Sequence, residues 1–141
     1  MKTARFLWLI LLLAACIPAA TPANIAATPG EAAVITRDTY QNDVFRVVYP
    51  TGWRVITSPA GAPPSVTFVA PGNCALIIVA SDSAPQSLTS PSCAQPDIKT
   101  STKTVTLSSH QITIAGSAPS AGWDDFVNAL DRIAASLKAA S

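Results

Sequence analysis

The sequence predicts an α+β fold: a twisted antiparallel sheet of about five to six strands with an amphipathic helix at its carboxyl end, packed on one face. From about Arg37 onward, short apolar runs alternate with Pro and Gly, which is typical of strands joined by turns. Residues 123–137 instead repeat apolar side chains with the period of a helix. A third observation, an apolar amino terminus that ends in a cysteine, bears on location.

The carboxyl-terminal helix is predicted from a single apolar stripe. Pro119-Ser120 offers a start signal, Asp124 and Asp125 lie near the amino end, and Lys138 lies near the carboxyl end, which suits the helix dipole. A stripe this long needs an apolar surface, and the sheet is the expected one. The apolar residues of the stripe lie 0, 3, 4, 7, 10, 11 and 14 positions after its first residue: Trp123, Phe126, Val127, Leu130, Ile133, Ala134 and Leu137.

The first strands are predicted from alternation and the turn that interrupts it. Val44 to Tyr49 places apolar side chains on one face and Arg46 on the other. Pro50-Thr51-Gly52 breaks this run, and Trp53 to Thr57 resumes as a strand.

Two hairpins are predicted further along the chain. Residues 65–70 and 74–81 flank Pro71-Gly72-Asn73, and residues 102–107 and 111–115 flank Ser108-Ser109-His110. Because residues 76–79 are apolar throughout, their strand is expected to be central and covered on both faces. No clear second helix is predicted between Ala84 and Asp97.

The charge balance excludes nucleic acid as a partner. The chain has 9 Lys and Arg against 8 Asp and Glu, and charged residues make up only 12% of it. Removal of Lys2 and Arg5, which lie in the leader described next, leaves 9 − 2 = 7 cations against 8 anions. Neutralising phosphates requires a basic stripe, which this composition does not supply.

The amino terminus reads as an export signal. Lys2 and Arg5 give a positive start, and residues 6–13 are an apolar run too short for a membrane span, which needs about 20 residues. Leu13-Ala14-Ala15-Cys16 resembles the lipobox of bacterial lipoproteins. The resemblance implies removal of residues 1–15 and a lipid anchor, including palmitate, on Cys16. The alternative is a plain secretory signal in which Cys16 is incidental.

Residues 16–36 are expected to form a tether and residues 37–141 the globular domain. The tether is rich in Ala, Pro and Thr, and Glu31 is its only charge. We therefore expect the chain on the extracytoplasmic face of the cell membrane or outer membrane, with the membrane as one partner through Cys16.

Two cysteines remain in the domain. In an exported chain Cys74 and Cys93 are expected to form a disulfide, the alternative being two separate thiols. With His110 they are too few and too irregularly spaced for a zinc site, so no metal or cofactor is predicted.

No catalytic residue is predicted. His110 is the only histidine and is expected to be a solvated turn residue, because no Gly-x-Ser-x-Gly motif accompanies it. Asp124 and Asp125 are adjacent on a helix and so point about 100° apart, which prevents them from sharing a proton. No Gly-rich phosphate loop is present.

The two ends of the domain resemble the PsbP/Mog1-like superfamily. Residues 45–53, which end Tyr-Pro-Thr-Gly-Trp, are similar to the opening strand pair of its members, and residues 126–137 to the closing helix. The resemblance implies a twisted antiparallel sheet with helices and a mostly non-catalytic function. The matching side chains also have a structural explanation, as core anchors and a bend: Phe45, Tyr49, Pro50, Gly52, Trp53, Trp123, Phe126 and Leu130.

Two functions are compatible with these patterns. The first is a non-catalytic envelope lipoprotein, an accessory module that binds an unknown protein or small molecule. The second is an envelope hydrolase whose active site has no recognisable motif. Fold alone does not separate them.

Overall fold

A computed structural model describes residues 33–59, 61–82, 93 and 97–141. This part of the chain forms nine strands and one helix, arranged as two antiparallel sheets with the helix against both. The elements are β1 (Val34–Ile35), β2 (Thr39–Gln41), β3 (Phe45–Val48), β4 (Arg54–Thr57), β5 (Ser65–Val69), β6 (Leu76–Ser81), β7 (Ile98–Leu107), β8 (His110–Pro119), α1 (Trp123–Ser136) and β9 (Lys138–Ala139).

The larger sheet has the order β4-β5-β6-β8-β7, and all its neighbours are antiparallel. As predicted, β6 is central, and five of its six residues are buried because neighbouring elements cover both faces. β7 lies at one edge and reaches its place as the outer arm of a hairpin with β8.

The smaller sheet has the order β1-β2-β3-β9, so the expectation of one continuous sheet is wrong. The reason lies at Pro50-Thr51-Gly52. Gly52 adopts a left-handed conformation with φ 88°, and the Trp53 N–H donates to the Pro50 carbonyl at 3.2 Å. This turn directs β4 into the larger sheet while β3 pairs with β2 and β9. The α+β class, the antiparallel pairing and the terminal helix are confirmed.

The helix α1 begins after Gly122, whose φ of 84° turns the chain out of β8. Its buried residues are Phe126, Ala129, Leu130 and Ile133. Three of them belong to the predicted stripe and Ala129 does not, while Trp123, Val127 and Ala134 of that stripe are only partly buried. Lys138 lies beyond the end of the helix, in β9, where its backbone is opposite that of Arg46 in the ladder between β9 and β3.

Gly116 allows α1 to approach the larger sheet closely. A Cβ atom at this position of β8 would lie 2.5 Å from Cζ of Phe126 and 3.1 Å from the Leu76 carbonyl oxygen. Glycine is therefore the residue that fits between the strand and the helix. Around this contact the core is continuous between the two sheets and the helix, and includes Tyr40, Phe45, Val47, Tyr49, Phe68, Ile77, Val79, Ile112, Ile114, Leu130 and Ile133.

The second hairpin is longer and tighter than the sequence predicts. β7 begins at Ile98 and β8 extends to Pro119, and the loop has two residues, Ser108 and Ser109. Ser108 has φ 53°, as the first position of a two-residue hairpin loop of the primed types requires. His110, predicted to lie in the turn, is the first residue of β8.

The smaller sheet includes Val34 and Ile35, which the sequence analysis assigns to the tether. β1 pairs with β2, and the Tyr49 hydroxyl donates to the Thr36 carbonyl at 2.5 Å. Burial of Tyr49, together with the negative charge of Asp38, raises the pKa of that hydroxyl above its ordinary value, which favours the protonated form that donates this hydrogen bond.

Several predictions concern residues outside the described ranges. These are the signal peptide, the lipidated Cys16, most of the tether and most of the segment from Ala84 to Asp97. Among the described residues, no helix has the length and apolarity that a membrane crossing would need.

Candidate functional site

A cleft of about 270 Å³ lies between α1 and the turn that joins β3 to β4. Its apolar lining comes from three places in the chain: the turn with the residue after it, the residue just before β6, and the helix. Asp125 and Arg132 add one charge of each sign. The apolar lining consists of Pro50, Trp53, Ala75, Phe126 and Ala129.

Two local structures form the walls of the cleft: the turn at Gly52 and the helix α1. The left-handed Gly52 reverses the chain so that Trp53 lies half-buried against the core. On the helix, Phe126 and Ala129 are three residues apart and therefore share the buried face. The turn forms one wall of the cleft and α1 the other.

The charged side chains lie at two separate points along the helix. Asp125 and Arg132 are seven residues apart, so they share a face of α1 about 10 Å apart along its axis. Both are exposed. A ligand with an apolar centre and polar groups of opposite charge at its ends matches this arrangement.

A second depression of about 720 Å³ lies along the outer side of α1 and shares Asp125 and Arg132 with the cleft. It is larger, but every residue that lines it belongs to the helix, so it is the open surface of one element. The smaller cleft is the stronger candidate, because three elements converge there on an aromatic and apolar surface.

His110 has a partner that sequence spacing does not reveal. Its Nδ1 lies 2.7 Å from Oδ2 of Asp82, and Oδ1 of Asp82 accepts the Gln111 N–H at 3.1 Å. The hydrogen bond with His110, and then that with Gln111, lower the pKa of the Asp82 carboxyl. Twenty-eight residues separate Asp82 from His110, and the pairing of β6 with β8 brings them together.

The Asp82–His110 pair has one contact of a hydrolase triad, in which a carboxylate orients the histidine. The other contact is missing among the described residues: His110 forms no hydrogen bond there with a serine or threonine hydroxyl. Both side chains are about half exposed, and neither lines the cleft. Within the described chain, the pair ties the end of β6 to the start of β8.

We expect the Asp82 pair to stabilise the fold above the ordinary pKa of a carboxyl and to lose its effect in acid. Because the folded pKa is lowered, the contribution is complete above that ordinary value, 3.8, and disappears as pH falls through the folded value. Urea unfolding of the full chain should show Asp82→Asn to be less stable than wild type near pH 7 and equally stable at about pH 2. Asp43→Asn, which removes an exposed turn carboxylate, is the control. A deficit in Asp82→Asn that is as large at pH 2 as at pH 7 would contradict the assignment.

The predicted disulfide is present. Cys74 and Cys93 are bonded, with their Cα atoms 4.8 Å apart. Cys74 directly precedes Ala75, so the bond fixes the chain at one border of the cleft. Among the described residues, no group of three or more His, Cys, Asp or Glu is arranged to hold a metal ion.

The structure distributes the predicted core residues between the core and the cleft. Phe45, Tyr49, Phe126 and Leu130 are buried, and Trp53 and Trp123 pack against the core from its border. Sequence reasoning assigned Pro50, Trp53 and Phe126 to structure alone, whereas they also line the cleft. Asp125 and Arg132 were missed as cleft residues, because charged side chains on an exposed helix face carry no distinguishing pattern.

No protein-family model matches the chain, and neither a curated protein nor a solved structure matches it. The resemblance to the PsbP/Mog1-like superfamily therefore stays a prediction.

Proposed function

We propose that this chain is a lipid-anchored extracytoplasmic lipoprotein and a non-catalytic module that binds a partner through the cleft. The observation that carries the binding function is the convergence of Trp53, Phe126 and Arg132 from two elements on one small surface. Aromatic residues and arginine are the side chains that contribute most to protein interfaces. A cleft of about 270 Å³ accommodates one or two side chains of a peptide segment.

The location rests on the amino-terminal sequence. A charged start, an apolar run and Leu13-Ala14-Ala15-Cys16 resemble a lipoprotein signal, and the following Ala- and Pro-rich residues provide distance from the membrane. Two acyl chains on one cysteine are enough for stable anchoring, because each buried CH₂ contributes about 0.8 kcal/mol.

If Cys16 carries the lipid anchor, replacing its sulfur by the oxygen of serine should move the protein from the detergent phase to the aqueous phase. Full-length wild type should enter the detergent phase of a Triton X-114 separation, and Cys16→Ser should remain in the aqueous phase because it cannot be acylated. Cys93→Ser, which removes a different sulfur, should still partition with detergent. Partitioning of Cys16→Ser into detergent would rule out the lipid anchor.

The cleft predicts a charge-dependent interaction. Full-length protein purified from its own membranes in mild detergent should carry one stoichiometric partner, and Arg132→Glu should reduce its recovery at least tenfold. Arg46→Glu is the matched control, because Arg46 is equally charged and exposed but lies on the outer side of β3. Equal recovery with both variants would show that the cleft is not the binding surface.

The hydrolase alternative is favoured by one observation, the 2.7 Å contact between Asp82 and His110. It requires turnover of ester or glycan substrates by the purified full chain, and loss of that turnover in His110→Ala. Such a result would replace the binding function with catalysis. Turnover that survives in His110→Ala would indicate a contaminating enzyme and leave the alternative without support.

A further inference from the structure

The outer edge of β7 differs from the other sheet edges of the described chain. The larger sheet ends in β4 on its other side, with four residues, and the smaller sheet ends in two-residue strands. β7 has ten residues, and each pairs with β8 without interruption from Ile98↔Pro119 to Leu107↔His110. Among the described residues it has a neighbour on one side only. A long, regular edge of this kind can accept another strand.

The features that usually block such an edge are absent from β7 or directed elsewhere. The strand contains no proline and no acidic residue. Its two lysines lie on the helix side of the sheet: the Lys103 amino group pairs with Asp131, and that of Lys99 lies 5.8 Å from the centre of the Trp123 ring. Because α1 holds both cations, neither is positioned to shield the strand edge.

The hairpin geometry determines which backbone groups face outward. The two-residue loop closes on Leu107 and His110 as a hydrogen-bonded pair, and such pairs recur at every second residue of an antiparallel ladder. The odd-numbered residues of β7 therefore bond to β8. The even-numbered residues direct their N–H and C=O groups away from the sheet: Ile98, Thr100, Thr102, Thr104 and Thr106.

The four threonines of this set, at positions 100, 102, 104 and 106, have their side chains on the side of the sheet opposite the helix, and all four are exposed. Their branched side chains favour extended backbone, and threonines directly opposite each other on antiparallel strands stabilise the pair. A second copy of β7, running antiparallel, presents the same row of threonines. The edge is thus complementary to itself.

We propose that two copies of this chain associate by antiparallel pairing of their β7 strands, with Thr102 of one copy opposite Thr102 of the other. In this register Thr100 lies opposite Thr104, Lys99 opposite Val105 and Lys103 opposite Ser101. The neighbouring register, centred on Lys103, would place two lysines directly opposite each other and is disfavoured. The chosen pairing forms about ten backbone hydrogen bonds and joins the two five-stranded sheets into one.

The register is tested by cysteine crosslinking of the full-length chain in its native membrane. Thr102→Cys should form a covalent dimer on mild oxidation, because a hydrogen-bonded pair places the two Cα atoms about 5.5 Å apart. Thr106→Cys is the matched control: in this register its two copies lie about 26 Å apart along the strands, so no dimer should form. Equal crosslinking of both variants, or none of Thr102→Cys, would overturn the proposal.

The association itself is tested by sedimentation of the detergent-solubilised full chain. Wild type should sediment as a species that contains two copies of this chain, and Thr102→Pro as a species that contains one. Proline at this position removes an outward N–H and no bond to β8, so the circular dichroism spectrum should be unchanged. Thr102→Val, which keeps the N–H and the branched side chain, should remain dimeric. A wild-type monomer, or a Thr102→Pro dimer, would contradict the proposal.

Discussion

Replacing Gly116 with alanine is expected to destabilise the full chain by about 2–3 kcal/mol, the magnitude typical of overpacking a well-filled core. The added Cβ would lie 2.5 Å from Cζ of Phe126, 3.1 Å from the Leu76 carbonyl oxygen and 3.2 Å from Cγ1 of Ile77. Alanine in place of glycine in a strand normally stabilises by about 0.5–1 kcal/mol. At this position the steric cost is expected to exceed that gain, because the Phe126 ring must move and the backbone of β6 leaves little space beside it.

Urea unfolding measures the effect, and a second variant tests its cause. Phe126→Leu removes the ring atom nearest the added methyl group, so Gly116→Ala with Phe126→Leu should be less destabilised than the sum of the two single substitutions. An additive result would show that the ring is not the obstacle. A neutral effect of Gly116→Ala alone would contradict the close packing of α1 on β8.

Removing the disulfide is expected to destabilise the domain by about 3 kcal/mol, since the bond between Cys74 and Cys93 closes a loop of 19 residues. That is a large part of the stability of a small domain, and it corresponds to a fall in Tm of roughly 15 °C. Cys74→Ser with Cys93→Ser should show this fall in a thermal melt followed by circular dichroism.

Reduction provides an internal control for the same prediction. Dithiothreitol should lower the Tm of the wild type toward that of the double variant, and it should not change the Tm of the double variant, which has no bond to lose. Equal melting of wild type and double variant would show that the bond does not constrain the unfolded chain.

The parts of the fold that sequence predicts well are those with a strong local pattern. The stripe from Trp123 to Leu137 gives α1, and the apolar run around Ile77 gives the central strand β6. The full length of β7 was missed, because its Thr, Ser and Lys residues have no apolar alternation before Val105. The division into two sheets was also missed, since a turn sequence such as Pro50-Thr51-Gly52 does not state whether the flanking strands pair with each other.

The candidate site was largely hidden from sequence for a related reason. Trp53 and Phe126 were identified as apolar anchors, but their convergence with Arg132 depends on how α1 packs on the sheets. The contact between Asp82 and His110 depends likewise on the register of β6 against β8. Neither relation has a fixed spacing in the chain. The pairing of Cys74 with Cys93 could be predicted because the domain has only these two cysteines.

The most direct test of the proposed function places a photo-crosslinker in the cleft of the full-length protein in living cells. p-Benzoylphenylalanine at Trp53 replaces one half-buried aromatic residue with another, and the same group at Ile56, on the exposed side of β4, is the control. Irradiation should give one discrete adduct from position 53, of the same mass in every preparation, and none from position 56. Absence of an adduct from position 53, or the same adducts from both positions, would contradict the assignment of the cleft as the binding surface.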